Sequence, residues 1–185
     1  DKDGIFVLEV GYFVDVYSNT WFDTIYHEHV DFHTVAPFEK LFARAGMEII
    51  SVERINPQGG SIRMMAQKIG GDIKRDDTVD NLIALEHKLG LNRLDTLSLF
   101  NFKINTIRDS LQKLIYSLKK EGKTIAGFGA PTKATTLMAH FGLDETMLDF
   151  IVDDNPLKQG LYTPITHIPI LSSEELYNRK PNYLL

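Results

Sequence analysis

The sequence predicts a mixed α/β chain in three stretches: a strand, a helix and an antiparallel hairpin, then a helical connector, then a small parallel α/β sheet. Three observations carry this. Ile62, Met64 and Ala66 alternate along a β-like segment that follows the turn-forming run Asn56-Pro57-Gln58-Gly59-Gly60. Beyond Gly70-Gly71 a polar stretch leads into two segments whose apolar residues keep a helical period, about 77–90 and about 94–121. From Thr124 the pattern becomes strand, turn, helix, strand, which favours a parallel sheet.

Each element follows from local chemistry. Residues 4–10 form a short apolar run rich in β-formers, suited to a buried strand of a parallel sheet. Residues 11–33 read as a polar and aromatic loop. Thr34 is placed to cap a helix whose apolar positions are Val35, Phe38, Leu41, Phe42 and Ala45, with Pro37 tolerated in the first turn and Gly46 as the stop. Residues 47–55 and 61–67 are the arms of the hairpin. In the longer connector helix, Ile104, Ile107, Leu111, Leu114, Ile115 and Leu118 form one apolar stripe that ends at Gly122. Thr124 to Phe128 is a strand, about 131–141 a helix, and Leu148 to Val152 a second strand, with one more short βα unit after it. Domain boundaries are expected at 1–69, 70–122 and 123–185.

Composition narrows the function. The chain has 185 residues, and 20 Lys and Arg against 25 Asp and Glu give a net charge of -5 without a massed basic patch, so nucleic-acid binding is not expected. No apolar run approaches the roughly 18 residues of a membrane span, and no basic-then-apolar signal pattern opens the chain. Zero cysteines excludes disulfides and thiolate metal sites within these residues and suits a reducing, cytoplasmic setting. Asp1-Lys2-Asp3-Gly4 runs directly into the strand-like Ile5-Phe6-Val7-Leu8 without an initiator Met, and Asn182-Tyr183-Leu184-Leu185 reads as a strand beginning. The expectation is a fragment.

Two clusters carry chemistry. Tyr26-His27-Glu28-His29-Val30-Asp31-Phe32-His33 holds three of the six histidines, and imidazoles beside carboxylates suit proton transfer near neutral pH. A zinc or iron site built from His27, His29 and His33 with Glu28 or Asp31 is the rival reading, and a polar surface loop is a third. Gly127-Phe128-Gly129-Ala130-Pro131-Thr132-Lys133 lies between a predicted strand and helix. There Gly129 and Ala130 allow close backbone approach, the helix start offers N–H groups, and Thr132 and Lys133 add a hydroxyl and a charge for a phosphate. A tight βα turn with an exposed lysine explains the same residues. Asp153-Asp154-Asn155-Pro156 follows the next strand, where acids hold ribose or sugar hydroxyls or simply form a solvated turn, and Lys158 continues that loop. Arg63 follows Gly59-Gly60-Ser61-Ile62, whose glycines a hairpin turn already explains.

Taken in order, these strings resemble the sugar C-methyltransferases, class I methyltransferases with an added C-terminal domain. The matching blocks are Gly4-Ile5-Phe6-Val7-Leu8-Glu9-Val10, Phe22-Asp23-Thr24-Ile25-Tyr26-His27-Glu28-His29, Gly59-Gly60-Ser61-Ile62-Arg63, Gly129-Ala130-Pro131-Thr132-Lys133 and Val152-Asp153-Asp154-Asn155-Pro156-Leu157-Lys158-Gln159-Gly160. The resemblance implies that residues 1–69 are the last third of a methyltransferase domain with its active-site loop. It implies that 123–185 are a Rossmann-like domain for a nucleotide-diphosphate sugar. It further implies His29 as general base, Glu28 orienting or tuning it, and Tyr26 hydrogen-bonding the developing oxyanion or positioning the sugar. Gly129, Ala130, Thr132, Lys133, Asp153, Lys158 and Arg63 are the implied substrate contacts. The methyl donor is S-adenosyl-L-methionine, whose glycine-rich pocket and accompanying zinc domain are not among these residues, so the chain alone is expected to be inactive. An open strand edge at residues 5–10 is expected to invite pairing with another chain.

Overall fold

The computed structural model describes residues 3–185; the expected fragment start at Asp1-Lys2 lies outside the described residues. The chain divides into two compact units. One holds the residues through Trp21 together with His29–Phe102, and the other holds Phe22–Glu28 together with Lys103–Leu185.

In the first unit, strands β1 (Phe6–Gly11), β2 (Met47–Ile55) and β3 (Ser61–Lys68) form an antiparallel sheet in the order β1-β3-β2. The alternation read from the sequence is the one that folds: Ile62, Met64 and Ala66 are fully buried on one face of β3, with Tyr12, Val35, Phe38 and Ile49 in the same core. β1 differs from the buried parallel strand expected. It pairs antiparallel to β3, is an edge strand among the described residues, and leaves Phe6 and Val7 exposed. The composition of residues 4–10 marks a strand but not how many neighbours it has.

Helix α2 (Val35–Arg44) begins after Thr34 and gives way to left-handed Gly46, as expected. Its cap does not come from Thr34, which makes no side-chain cap bond. The Glu86 carboxylate, on helix α3 (Asp77–Lys88), accepts the Val35 N–H at 2.6 Å and the Ala36 N–H at 3.0 Å, and also the Tyr12 hydroxyl at 2.9 Å. A buried anion at the positive end of the helix outcompetes a hydroxyl there. Burial first, and then the Glu86 charge, push the Tyr12 phenol well above its ordinary range, so it remains a donor.

The expected 11–33 loop contains helix α1 (Phe13–Asn19) and a 3-10 turn, Phe22–Thr24. α1 buries Val14 and Val16 and ends at left-handed Thr20. Seven residues are too few for a periodic signal, and packing supplies what propensity does not. Helix α4 (Leu94–Lys120) runs from one unit into the other. Its buried positions include Ile104 and Ile115, whereas Ile107 and Leu114 are exposed at the margin of the expected stripe.

The second unit is built on strands β4 (Ile125–Phe128), β5 (Phe150–Val152), β6 (Ile170–Leu171) and β7 (Tyr183–Leu184), all parallel, in the order β6-β5-β4-β7. Helix α5 (Thr132–Phe141) connects β4 to β5, and helix α6 (Glu175–Arg179) precedes β7. This is a Rossmann-like arrangement. Ala126, Phe150, Ile151 and Val152 are buried, as strands covered on both faces require.

Candidate functional site

β5 and β6 lie to one side of β4 and β7 to the other, so the order of the sheet reverses at β4. In such sheets a crevice opens beyond the strand ends at that reversal. The turn Gly129-Ala130-Pro131 stands there. Gly129 has φ +87°, and its Gly129 N–H donates to the Val152 carbonyl at 2.7 Å. A side chain at Gly129 would be strained by its φ, and its Cβ would lie 3.7 Å from Pro131 Cδ, an ordinary contact. Pro131 begins α5 without a side-chain cap, and Thr132 and Lys133 in its first turn are exposed.

Asp153 and Lys158 hold this turn from within. Asp153 Oδ2 accepts the Ala130 N–H at 2.7 Å and the Lys158 ammonium at 3.1 Å, and Oδ1 accepts the Asn155 N–H at 2.9 Å. Lys158 also donates to the Ala130 carbonyl at 2.9 Å. Both backbone groups of Ala130 are thereby engaged. The Ala130 N–H above all, joined by Asn155 and Lys158 against the opposing effect of burial, keeps the Asp153 carboxyl below the usual carboxylate range.

The segment Phe22–Glu28 folds with this same unit, over 100 residues away in sequence. Phe22 stacks on Phe141, with ring centroids 5.9 Å apart at 9°, and lies 4.6 Å from the His140 ring. Asp23 Oδ2 accepts from Lys133 Nζ at 2.5 Å. Lys133, His140 and Phe141 share one face of α5, being seven and eight residues apart, close to two turns. The Tyr26 hydroxyl donates to Glu28 Oε2 at 3.2 Å, and Lys133 is near enough to act on that phenol by charge. Desolvation, followed by the Glu28 bond and charge, raises the Tyr26 phenol above its ordinary value, with Lys133 opposing. Tyr26 therefore keeps its proton at neutral pH.

The other candidates belong to the first unit. His29 is partly buried. Arg63, on β3, bonds Glu9 on β1 at 3.0 Å and lies 3.5 Å from Glu53 on β2, its cross-strand neighbours. The His33 ring lies 4.6 Å from that of Phe38, tilted by 33°, and 3.7 Å from Asp31, and His27, in the second unit, lies 3.9 Å from Glu28. Among the described residues no three His, Asp or Glu side chains form a group that would hold a metal ion. Among them, too, no helix is long and apolar enough to cross a membrane.

Residues 56–185 match the family model of the C-methyltransferase C-terminal domain. The chain belongs to that family. It is also 34% identical over 183 residues to the C-methyltransferase NovU of Streptomyces niveus, an alignment covering 99% of this chain and 44% of that protein. The chain thus spans under half the length of the curated relative it matches.

In this C-methyltransferase C-terminal domain, the matched residues include the Gly129 turn, Lys133, Asp153 and Lys158, while Tyr26, Glu28 and His29 precede them. The arrangement in the second unit is suited to hold an anion at α5 beside a protonated phenol and a carboxylate. Reading the sequence as a line missed Asp23, Phe22 and His140 as parts of this site. Asp23 and Phe22 lie inside a motif already singled out, but their partners could not be named without the fold. The turn glycines of the first unit are explained by packing. A Cβ on Gly59 would lie 2.8 Å from the Trp21 ring, and one on Gly60 would strike Asp15 at 2.4 Å.

Proposed function

We propose that this chain is the acceptor-handling part of an S-adenosylmethionine-dependent C-methyltransferase acting on a nucleotide-linked keto-sugar. One observation carries the reading: Phe22–Glu28 is anchored on α5, so that Tyr26 and Glu28 share a unit with Lys133 and the Gly129 turn. The family membership and the likeness to NovU support a methyl transfer to carbon.

In this reading the diphosphate lies at the Gly129 turn, met by the first-turn N–H groups of α5, the Thr132 hydroxyl and the Lys133 ammonium. The keto-sugar extends toward Tyr26. His29, next in the chain after Glu28, removes the proton α to the ketone, leaving the electron pair to form an enolate. Tyr26, still protonated, donates to the enolate oxygen, where negative charge grows during that step. Glu28 orients Tyr26 and stabilises the imidazolium formed at position 29. Asp153 and Lys158 serve by holding the turn, and the enolate carbon is the nucleophile for methylation.

Calorimetric titration of the chain with nucleoside diphosphates and their hexose conjugates tests the phosphate assignment. Binding is expected, weakened several-fold in Lys133→Ala and with a smaller loss at high salt. No binding, or an affinity unmoved by Lys133→Ala, refutes it. In a polypeptide that also carries the donor pocket, His29→Ala is expected to lower turnover by about 10²- to 10⁴-fold; wild-type turnover in that variant would remove His29 from the mechanism.

A further inference from the structure

Phe128 is the last residue of β4 and directly precedes the Gly129 turn. Ile125, Ala126 and Gly127 are buried, as a strand between two others requires, but Phe128 is 55% exposed. We propose that the Phe128 ring is the platform on which the nucleobase of a nucleoside diphosphate stacks, with the phosphates at the Gly129 turn and Lys133. The inference rests on the diphosphate reading of that turn and extends it to the rest of the nucleotide, within the same unit.

Position is the first support. The order of the sheet reverses at β4, so the C-terminal end of this strand opens on the crevice in which such sheets hold their ligands. Phe128 stands one residue from Gly129, about 3.8 Å along the chain, and a nucleoside joined to phosphates at the turn reaches a neighbouring side chain. Rigidity is the second. The Phe128 N–H donates to the Leu185 carbonyl at 2.9 Å, and its Cα is in register with that of Val152 on β5. Beyond it, the Gly129 N–H is held by the Val152 carbonyl, and both backbone groups of Ala130 are held by Asp153 and Lys158. The ring is thus carried by a backbone fixed on both sides, and little freedom is left to lose on binding. Chemistry is the third. Among the described residues no aromatic ring or cation pairs with the Phe128 ring. A phenyl face in water gains when a second flat ring covers it, and stacking accepts any base because every base has a π-face. The platform therefore takes purine and pyrimidine diphosphates alike.

The test is calorimetry of the whole chain with inorganic pyrophosphate, uridine diphosphate and adenosine diphosphate, in the wild type and in Phe128→Leu, Phe128→Trp and Lys133→Ala. Pyrophosphate offers the phosphates without a base, so its binding also reports that the turn is intact in each variant. Phe128→Leu, which keeps apolar bulk but has no ring, is expected to weaken both nucleoside diphosphates by about five- to hundredfold and to leave pyrophosphate within about twofold of the wild type. Phe128→Trp, which keeps a ring, is expected to bind both nucleoside diphosphates at least as tightly as the wild type. Nucleoside diphosphate binding that Lys133→Ala weakens, but that Phe128→Leu leaves unchanged, overturns the platform and spares the phosphate reading. Equal losses for pyrophosphate and the nucleoside diphosphates in Phe128→Leu also overturn it, because Phe128 then supports the turn and not the base. Absence of nucleoside diphosphate binding in the wild type, or an affinity indifferent to Lys133→Ala, overturns both.

Discussion

Replacing Asp153 by Ala removes the acceptor for three groups at once: the Ala130 N–H at 2.7 Å, the Asn155 N–H at 2.9 Å and the Lys158 ammonium at 3.1 Å. The Asp153 side chain is only 12% exposed, so water replaces these bonds poorly at Ala130 and more readily at exposed Asn155. Each buried donor left without an acceptor costs about 1–3 kcal/mol, which gives about 2–4 kcal/mol for Asp153→Ala and about half that for Asp153→Asn, which keeps one oxygen. For a chain of this size the unfolding midpoint of the second unit falls by about 5–15 °C in the Ala variant. The effect is also pH-dependent. The native carboxyl is held below its ordinary range, chiefly by the Ala130 N–H, so on acidification the unfolded chain takes up its proton first. The stabilisation is therefore complete above about pH 5, begins to fall near the unfolded-chain pKa of about 3.9 and is lost as pH falls through the native pKa. Urea unfolding between pH 3 and 7, followed by hydrogen exchange of β4 and β5 amides, reports this unit separately. An unchanged midpoint in Asp153→Ala, or an acid limb in Asp153→Asn that matches the wild type, would refute the role of Asp153 as the clamp of the glycine turn.

Further outcomes follow from the same structure. Glu86→Ala leaves two helix N–H groups and the Tyr12 hydroxyl without their acceptor, and is expected to cost about 3–5 kcal/mol, read by the fluorescence of Trp21 during urea unfolding; a loss below about 0.5 kcal/mol would show that Thr34 or water caps α2 instead. Gly59→Ala places a side chain at φ +89° and against the Trp21 ring, and should destabilise by about 1–3 kcal/mol with a shift in Trp21 emission; an unshifted spectrum would deny the contact. Phe22→Ala removes the pivot on α5 and should speed amide exchange across 22–28 while leaving β2–β3 amides protected; equal exchange in the two proteins would show that the segment is held by other means.

Legibility in the sequence tracked the range of the interaction responsible. The β2–β3 hairpin was readable because Asn56–Gly60 is turn chemistry and the next eight residues alternate, both properties of consecutive residues. The strand–turn–helix of β4 and α5 was readable for the same reason, and Gly129 adopts the positive φ that its residue type suggested. Helix α1 was not, since it is short and is stabilised by the burial of Val14 and Val16. Nor was the cap of α2, because its acceptor Glu86 stands 51 residues downstream and Thr34 offered a sufficient local explanation. For the site, Tyr26, Glu28 and Lys133 were singled out as residue types. Their common unit was not, nor was the bond by which Asp153 holds the Ala130 N–H.

By itself, then, the order of residues determined where strands, turns and long helices begin, and which side chains have the chemistry for proton transfer and phosphate contact. Periodicity, turn preference and functional-group identity are local quantities. Only the tertiary structure decided that Phe22–Glu28 joins the second unit, that Asp23 meets Lys133 and that Glu86 caps α2. Those pairings depend on chain closure over 51 to 110 residues, where any of the 25 acids could in principle have met any base, and packing selected among them.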